Sequence, residues 1–561
     1  MRIGFAFGFC SLRARRFPAW LIALVLIGVA FPGLWIQQAH ASVNLPLHHW
    51  AYEAIERLTA MGVIDRAMVV AKPYSRKQAT KYVARAIQRI RNNQIEIDGR
   101  EAVAAPLLER LMKEFNPELI ALGAVDSYRE AKAGIPVIRY GGRLQVEGDA
   151  FSVGHGTVRL RENSMGQYYA NGAQVQSDLR AWIEVTDALA VSLNPKYISN
   201  VQALGIGATS NDKNGYMQEL NAKFTVANIA FQIGRGTNWW GPGYRGSLLL
   251  TDHAFPLDMI QLGSDESFKL PWVFKSLGDW KINTFLTQLE RDRDFPRAKV
   301  FGLRLSYLPA SWLELGFTRL TQFGGRGSTQ SFPKTVVDAY AKQPNQPGAH
   351  EVNEQAMLDF RVRIPNVAYV IPFPAGMQFY GEIGSEDKWS KVPLPSRAAV
   401  LGGIYIPQVF SGDSLDLRIE YADTDLTRRK TGDSLANVWY NNGTYQSGMR
   451  YRGNPLGHWM GTDGIDLFIR TTRHLTEDLQ LGVNLDLSER ARGLPVHEKK
   501  RESTVDLTWW LSSRTQFTVT YTHQRIQDPG QITSINPFTA TFANGVVSNN
   551  HLLWTNLAVA F

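Results

Sequence analysis

Cysteine occurs once in the 561 residues, at position 10. From residue 11 onward the chain has neither disulfides nor thiol chemistry to draw on. After residue 41 no apolar run approaches the ~18 residues that a membrane-crossing helix needs, so a helical membrane domain is ruled out. Catalytic signatures are missing as well. There is no G-x-S-x-G elbow, no H-E-x-x-H, no Cys/His cluster and no phosphate-binding loop. His497-Glu498-Lys499-Lys500-Arg501 opens like a zinc motif but lacks the second histidine. No enzyme, metal site or cofactor is expected from these residues. The formal charge of +9 is mild for a chain of this length and does not point to nucleic acid.

What is present starts with an address. Arg2, Arg13, Arg15 and Arg16 precede an apolar stretch from Trp20 to Ala30, and Ala39-His40-Ala41 reads as a cleavage site. Residues 1–41 are expected to be a cleaved signal peptide. Residues 42–133 read as helical. Trp50, Ala54, Leu58 and Met61 recur at helical spacing and Gly62 offers a stop. Ser75-Arg76-Lys77-Gln78 is a capping-box pattern, and a third helix is expected over Leu107 to Phe115. No acid occurs between Ser75 and Gln94, so Lys77, Lys81, Arg85 and Arg89 form a basic face. The run from His49 to Leu58, with Gly62-Val63-Ile64 and Tyr74-Ser75-Arg76, resembles a single S-layer-homology unit. That resemblance implies a contact with cell-wall polymer such as peptidoglycan. A solvated helix surface is the simpler account of the basic residues.

From 134 to 561 the period changes to two. Leu358, Phe360, Val362 and Ile364 alternate with Asp359, Arg361 and Arg363, and Leu417, Ile419 and Tyr421 alternate with Asp416, Arg418 and Glu420. Leu481, Val483, Leu485 and Leu487 repeat the pattern. Each such strand has one apolar and one polar face. Tight turns near Pro309-Ala310, Ser411-Gly412, Thr476-Glu477 and Ser512-Ser513 alternate with long polar loops near 323–355, 386–397, 426–461, 489–501 and 526–548. Short turns at one end and long loops at the other define an outer-membrane β-barrel. An even strand number is required, sixteen or eighteen. The fold class is thus mainly β: an antiparallel barrel with a small N-terminal helical periplasmic domain. Counting two strands in 136–168 conflicts with periplasmic turns at both Asp187-Ala188 and Ala227-Asn228. Phe561, with Val559, Leu557 and Leu553 on its alternating face, resembles the terminal signal read by the barrel assembly machinery.

Two runs carry the chemistry. The first, Gly234 to Ser247, sets Arg235, Trp239, Trp240, Tyr244 and Arg245 on a backbone punctuated by five glycines and a proline. Flat aromatic faces stack on sugar C–H surfaces, and arginine forks bind carboxylates. It leads through Leu248-Leu249-Leu250 to Thr251-Asp252-His253-Ala254-Phe255-Pro256. The second, Tyr445 to Asp463, carries Tyr451, Arg452, His458 and Asp463. Both runs, in this order, resemble the signatures of the Wzi-type capsule-assembly proteins. The resemblance implies eighteen strands and a lectin-like role: binding exported capsular or extracellular polysaccharide at the cell surface, in contact with outer-membrane lipid. The nine named residues are then candidates for polysaccharide binding. Each has a structural alternative. The tryptophans would pack inside the barrel or join an aromatic girdle, and the arginines would pair with luminal acids such as Asp359, Asp416 or Glu420. The rival function is a porin-like channel for anionic sugars lined by Arg361, Arg363 and Arg418.

Overall fold

The computed structural model describes residues 42–95, 99–125, 139–153, 159–160, 162–169, 174–186, 188–199, 214–328, 352–365, 373–386, 398–426, 438–531, 541–542 and 544–560. The expected signal peptide and Phe561 lie outside these residues, as do 329–351, 387–397, 427–437 and 532–540 of the long loops.

The described chain closes on itself as an antiparallel barrel. In order, its strands are β1 Arg139–Val153, β2 Gln174–Glu184, β3 Leu189–Ile198, β4 Gly215–Val226, β5 Ile229–Gly236, β6 Leu257–Ser264, β7 Asp279–Gln288, β8 Lys299–Ala310 and β9 Leu313–Phe323. They continue with β10 Asn353–Ile364, β11 Met377–Glu386, β12 Ala398–Ile406, β13 Leu417–Asp423, β14 Ile465–His474, β15 Leu479–Arg490, β16 Glu498–Trp510, β17 Thr515–Gln527 and β18 Val547–Ala560. Eighteen strands were expected and eighteen are found, leaving aside the two-residue piece Phe268–Lys269 on the flank of β7. The barrel closes between β1 and β18, paired from Arg143–Ala560 to Val153–His551 with a register shift between Ala150 and Ser152. Among the described residues between 136 and 168 there is one barrel strand, not two, followed by a two-residue hairpin of Arg159–Leu160 with Tyr168–Tyr169. The β2–β3 and β4–β5 connections, at Ala188 and at Ala227-Asn228, therefore lie at the same end; Asp187 itself is outside the described residues. That end carries the turns 311–312, 475–478 and 511–514, and is the periplasmic end in barrels of this kind.

Period two decides which side chains face lipid. On β10, Leu358 and Phe360 are exposed while Asp359 and Arg361 are buried. On β13, Ile419 and Tyr421 are exposed while Arg418 and Glu420 are buried. Contiguous exposed apolar area of this extent is abnormal in water and normal against hydrocarbon. Trp272, Phe274, Trp312 and Trp509 are exposed at or near the short-turn end, where an aromatic girdle belongs. Inside the wall, Arg304 of β8 reaches over β9 to Asp359 of β10, with Nη2 2.9 Å from Oδ1. Residue 316 lies beneath this bridge. A Cβ there would collide with both the guanidinium and the carboxylate, so the position is glycine.

The N-terminal segment caps the short-turn end. It holds α1 Ala51–Ala60, α2 Arg76–Arg91, α3 Glu101–Glu114 and α4 Asn116–Ala121. The expected stop at Gly62 has φ +78°, and Ser75 caps α2 by accepting a hydrogen bond from Gln78 N at 3.2 Å. The third helix starts earlier than expected and breaks at Phe115, where Pro117 opens α4. The helices share a core of Ile55, Leu58, Val83, Ile87, Leu107 and Leu111. The basic face of α2 is not simply solvated. Lys77 and Lys81 bind Glu266 of the β6–β7 turn, Arg85 binds Asp65, and Arg89 donates to the carbonyls of Gly62 and Val63.

This cap continues into the lumen. Arg57 donates to the carbonyls of Pro407 and Ser414, and Arg418 Nη2 lies 3.0 Å from Glu56 Oε1. Residues 67–72 run along the wall. There the N–H groups of Val69 and Val70 donate to Glu314 at 3.2 and 3.3 Å, and Arg361 binds the same carboxylate at 3.1 Å. Glu56→Ala leaves Arg418 buried without its carboxylate, a loss of about 3–5 kcal/mol where one member of a buried pair is removed. The expected result is faster trypsin cleavage within 42–125, with heat-modifiable barrel migration retained on gels.

Candidate functional site

The first sequence motif forms the β5–β6 connection, at the long-loop end, and folds inward. Trp239–Trp240 makes a two-residue antiparallel ladder with Ala71–Lys72 of the cap, so cap and loop meet inside the barrel. The following turn is fixed by wall carboxylates. Glu382 accepts the N–H groups of Gly243 (3.2 Å) and Leu248 (2.7 Å), and Glu420 accepts those of Tyr244 (2.7 Å) and Arg245 (2.8 Å). A buried carboxylate needs several donors to offset its desolvation, and a loop without regular structure needs acceptors for its N–H groups. Each supplies the other's need. Leu248-Leu249-Leu250, through which the motif leads to Thr251, is buried and has no regular secondary structure.

The second motif lies in the β13–β14 connection and packs on the first. Thr251 N donates to Leu456 O and Thr251 Oγ1 to Gly457 O, while Tyr440 Oη donates to Leu248 O and accepts from His458 N. Gly246 and His458 touch so closely that a Cβ on residue 246 would occupy the imidazole's space.

The nine candidates separate into three groups. Trp239, Tyr244 and Arg245 line a luminal cavity of about 580 Å³, together with Glu53, Glu56 and Lys72 of the cap. Tyr244 Oη donates to Glu53 at 2.9 Å. Arg245 lies 2.6 Å from Asp486 and 3.1 Å from Glu162, with Lys500 on the same acids and both cations over the Trp459 ring. Arg245 does meet luminal acids, though its backbone takes Glu420 and its side chain takes Asp486 and Glu162.

Trp240, His458 and Asp463 form the second group and are buried in the packing. Trp240 is 2% exposed and packs on Phe285, His458 is fully buried, and Asp463 sits buried at φ +51°.

Arg235, Tyr451 and Arg452 form the third group, at the outer rim. Arg235 continues the outward series Ile229, Phe231, Ile233 on β5 and binds its cross-strand partner Asp258 at 2.7 and 2.9 Å. Arg452 is exposed at the tip of a small hairpin, Arg450–Tyr451 with Asn454–Pro455. Its guanidinium stands 4.0 Å from the Phe255 ring centre, and that of Arg235 stands 5.4 Å from the same ring. Tyr451 is buried beside them, its ring 6.5 Å from Phe255.

Sequence reasoning missed Glu314 and Glu382, which hold the backbone, and Glu162, Asp486 and Lys500, which surround Arg245; it named Glu420 as an acid for the arginines but not as an acceptor of backbone N–H groups. The strand acids were visible as polar-face residues, but nothing in the spacing told one inward carboxylate from another.

Burial pushes the imidazoles of His253 and His458 down to about 3, helped by the positive charge of Arg490 near the first and Arg245 near the second. Both are therefore buried neutral. With the folded value below the unfolded one, about 6.5, the unfolded chain binds more protons between the two. Their contribution is complete above about 6.5 and lost as pH falls toward 3. Tryptophan emission and loop proteolysis are expected to report loop release across that window, while barrel migration persists. Gly246→Ala is expected to produce the same release at neutral pH.

The comparisons with known proteins accord with this geometry. The model of the family described as capsule assembly protein Wzi matches residues 147–532. A protein of Klebsiella pneumoniae, described as an uncharacterized 55.8 kDa protein in the cps region, is 31% identical over 256 residues. The match takes in 45% of this chain and spans about half, 48%, of that relative. Among solved structures, the chain resembles Wzi of Escherichia coli, described as an outer-membrane protein involved in group 1 capsule assembly and a carbohydrate-binding β-barrel. The TM-score is 0.63 at 18% identity, covering 91% of this chain and 98% of that one. At that identity the likeness speaks for the fold. The family match covers most of the chain, from β1 to just beyond β17, and on that ground this outer-membrane β-barrel belongs to the Wzi family of capsule assembly proteins.

Proposed function

We propose that the protein binds exported capsular or extracellular polysaccharide and helps hold it at the cell surface, as a lectin and without bond-making chemistry. The observation that carries this reading is the pair of guanidinium groups, Arg235 and Arg452, over one aromatic ring, Phe255, at the rim of the long-loop end. Planar cations suit the carboxylates of acidic sugars, and the rings beside them suit sugar C–H faces. Each contact is weak. A repeating polymer engages many copies of the protein at once, and avidity supplies what one site lacks. Family membership and the carbohydrate binding attributed to the E. coli relative support the same reading. The cavity beside Trp239, Tyr244 and Arg245 is the second place where a sugar unit would bind.

The filled lumen weighs against the porin alternative. Arg361 and Arg418, which would line a pore for anions, are taken by Glu314 and Glu56, and the Arg363 guanidinium lies where a Cβ on Gly62 would be. Residues 42–133 are proposed as a periplasmic domain and 134–561 as the membrane barrel, exported by the leader 1–41 and inserted by the assembly machinery through the strand ending in Phe561. A tether to peptidoglycan would have to use cap residues other than Lys77 and Lys81, which Glu266 holds.

The test is retention of purified protein on an array holding the producing strain's surface polysaccharide beside unrelated neutral and acidic glycans. Selective retention is expected. Arg452→Ala is expected to weaken it about tenfold, equivalent to about 1.4 kcal/mol, with heat-modifiable migration unchanged. Planar-bilayer recordings are expected to show little conductance. Absence of retention together with porin-like conductance would reverse the assignment.

A further inference from the structure

The outward face of β16 and β17 changes character along its length. From the short-turn end upward, the cross-strand pairs are Trp509 with Phe517, Leu507 with Val519, Val505 with Tyr521, Ser503 with His523, Arg501 with Arg525 and Lys499 with Gln527. Three apolar steps are followed by a polar one and then by cations. From Trp509 to Arg501 the strand advances eight residues. At about 3.3 Å per residue and a tilt near 40°, that is roughly 20 Å of height. An outer-membrane barrel shows lipid an apolar band about 25 Å tall. Arg501, Arg525 and Lys499 are exposed on the side of the barrel, at the border where hydrocarbon gives way to the outer headgroups.

The pairing itself is unfavourable. Like charges directly opposite on one face of a sheet repel. Elsewhere on the outward face this protein matches arginine with acid: Arg235 with Asp258 at 2.7 Å and Arg319 with Glu354 at 2.7 Å. Here arginine faces arginine. The lateral neighbours are Leu487 beside Arg501 and Asn549 beside Arg525. Glu489, opposite Lys499, is taken up by Arg492 at 2.8 Å. None of the three cations has an ion pair among the described residues. The adjoining loop 528–546 contains one acid, Asp528, which accepts the Gly545 N–H at 2.6 Å.

We propose that Arg501, Arg525 and Lys499 form a binding site for the phosphate-bearing headgroup of an outer-leaflet glycolipid. A phosphate between the two guanidinium groups turns their repulsion into two charge-assisted forks, and Lys499 adds a third donor set. The acyl chains of the same lipid lie along Leu507, Val505 and Tyr521 below. A soluble polymer is disfavoured as occupant, because these side chains point sideways into the bilayer and not up into the loops. The site would fix the barrel's height and orientation in the outer leaflet, and it is independent of polysaccharide binding at the rim.

The experiment measures lipid retained by the purified full-length protein in native mass spectrometry. The probes are a bisphosphorylated glucosamine-disaccharide lipid and its dephosphorylated counterpart. Wild type is expected to retain the phosphorylated form at least tenfold better. Arg501→Ser with Arg525→Ser is expected to lose that preference, and Arg235→Ser to keep it. Arg525→Glu supplies a readout that misfolding cannot imitate. It places a carboxylate opposite Arg501, so it is expected to raise the temperature of heat-modification while abolishing the lipid preference. Equal retention of the two lipids by wild type, or an unchanged preference in the Arg501/Arg525 double variant, would overturn the proposal. So would binding of a soluble phosphorylated polysaccharide in place of the lipid.

Discussion

The architecture depends on buried carboxylates of the barrel wall that accept backbone N–H groups from segments without regular structure. Glu314 takes Val69 and Val70, Glu382 takes Gly243 and Leu248, and Glu420 takes Tyr244 and Arg245. A barrel of eighteen strands encloses a lumen too wide for its own side chains to fill, and water would otherwise occupy it. Filling it with loop creates orphan N–H groups, and lining it with acids creates desolvated charge. The two liabilities cancel when they are brought within hydrogen-bonding distance. The result is a wall that is rigid where the loops dock.

This constraint links both ends of the molecule. The cap reaches up to pair Ala71–Lys72 with Trp239–Trp240, and the loop bearing those tryptophans is held by the loop bearing His458. Cap, first motif and second motif are therefore one packed body. Much of the aromatic content of the motifs is spent on that packing, and the two places proposed above for a ligand are what it leaves. The cavity lined by Trp239, Tyr244 and Arg245 is inside, and the Arg235–Phe255–Arg452 cluster is at the rim. On the proposed function, docked loops and cap suit a protein that retains polymer at the surface, since an open lumen would pass solutes that the outer membrane excludes.

The barrel was largely legible in the sequence, because period two and turn spacing are local signals. Leu358 and Phe360 face out and Arg361 faces in, as their alternation indicates. The Ser75 cap and the Gly62 stop were legible for the same reason. The site was legible only as two runs of unusual composition. Their mutual contact joins residues some two hundred positions apart, and no spacing rule encodes it. Arg235 and Arg245 looked equivalent because both flank the tryptophans. Parity separates them: Arg235 extends the outward series of β5, while Arg245 lies beyond the end of the strand, on the inward-folded loop. That signal was present in Ile229, Phe231 and Ile233. The roles of Glu382 and Glu420 were not, since inward carboxylates recur on many strands and only the fold selects which ones meet a loop.

The most direct measurement is amide hydrogen exchange of the detergent-solubilised protein at neutral pH, resolved to the segments 67–72 and 241–250. If wall carboxylates hold these backbones, their amides will exchange as slowly as those of the neighbouring strands β9, β11 and β13. Exchange at the rate of an exposed loop would contradict the account, because the lumen would then be open to water and the loops merely resting in it.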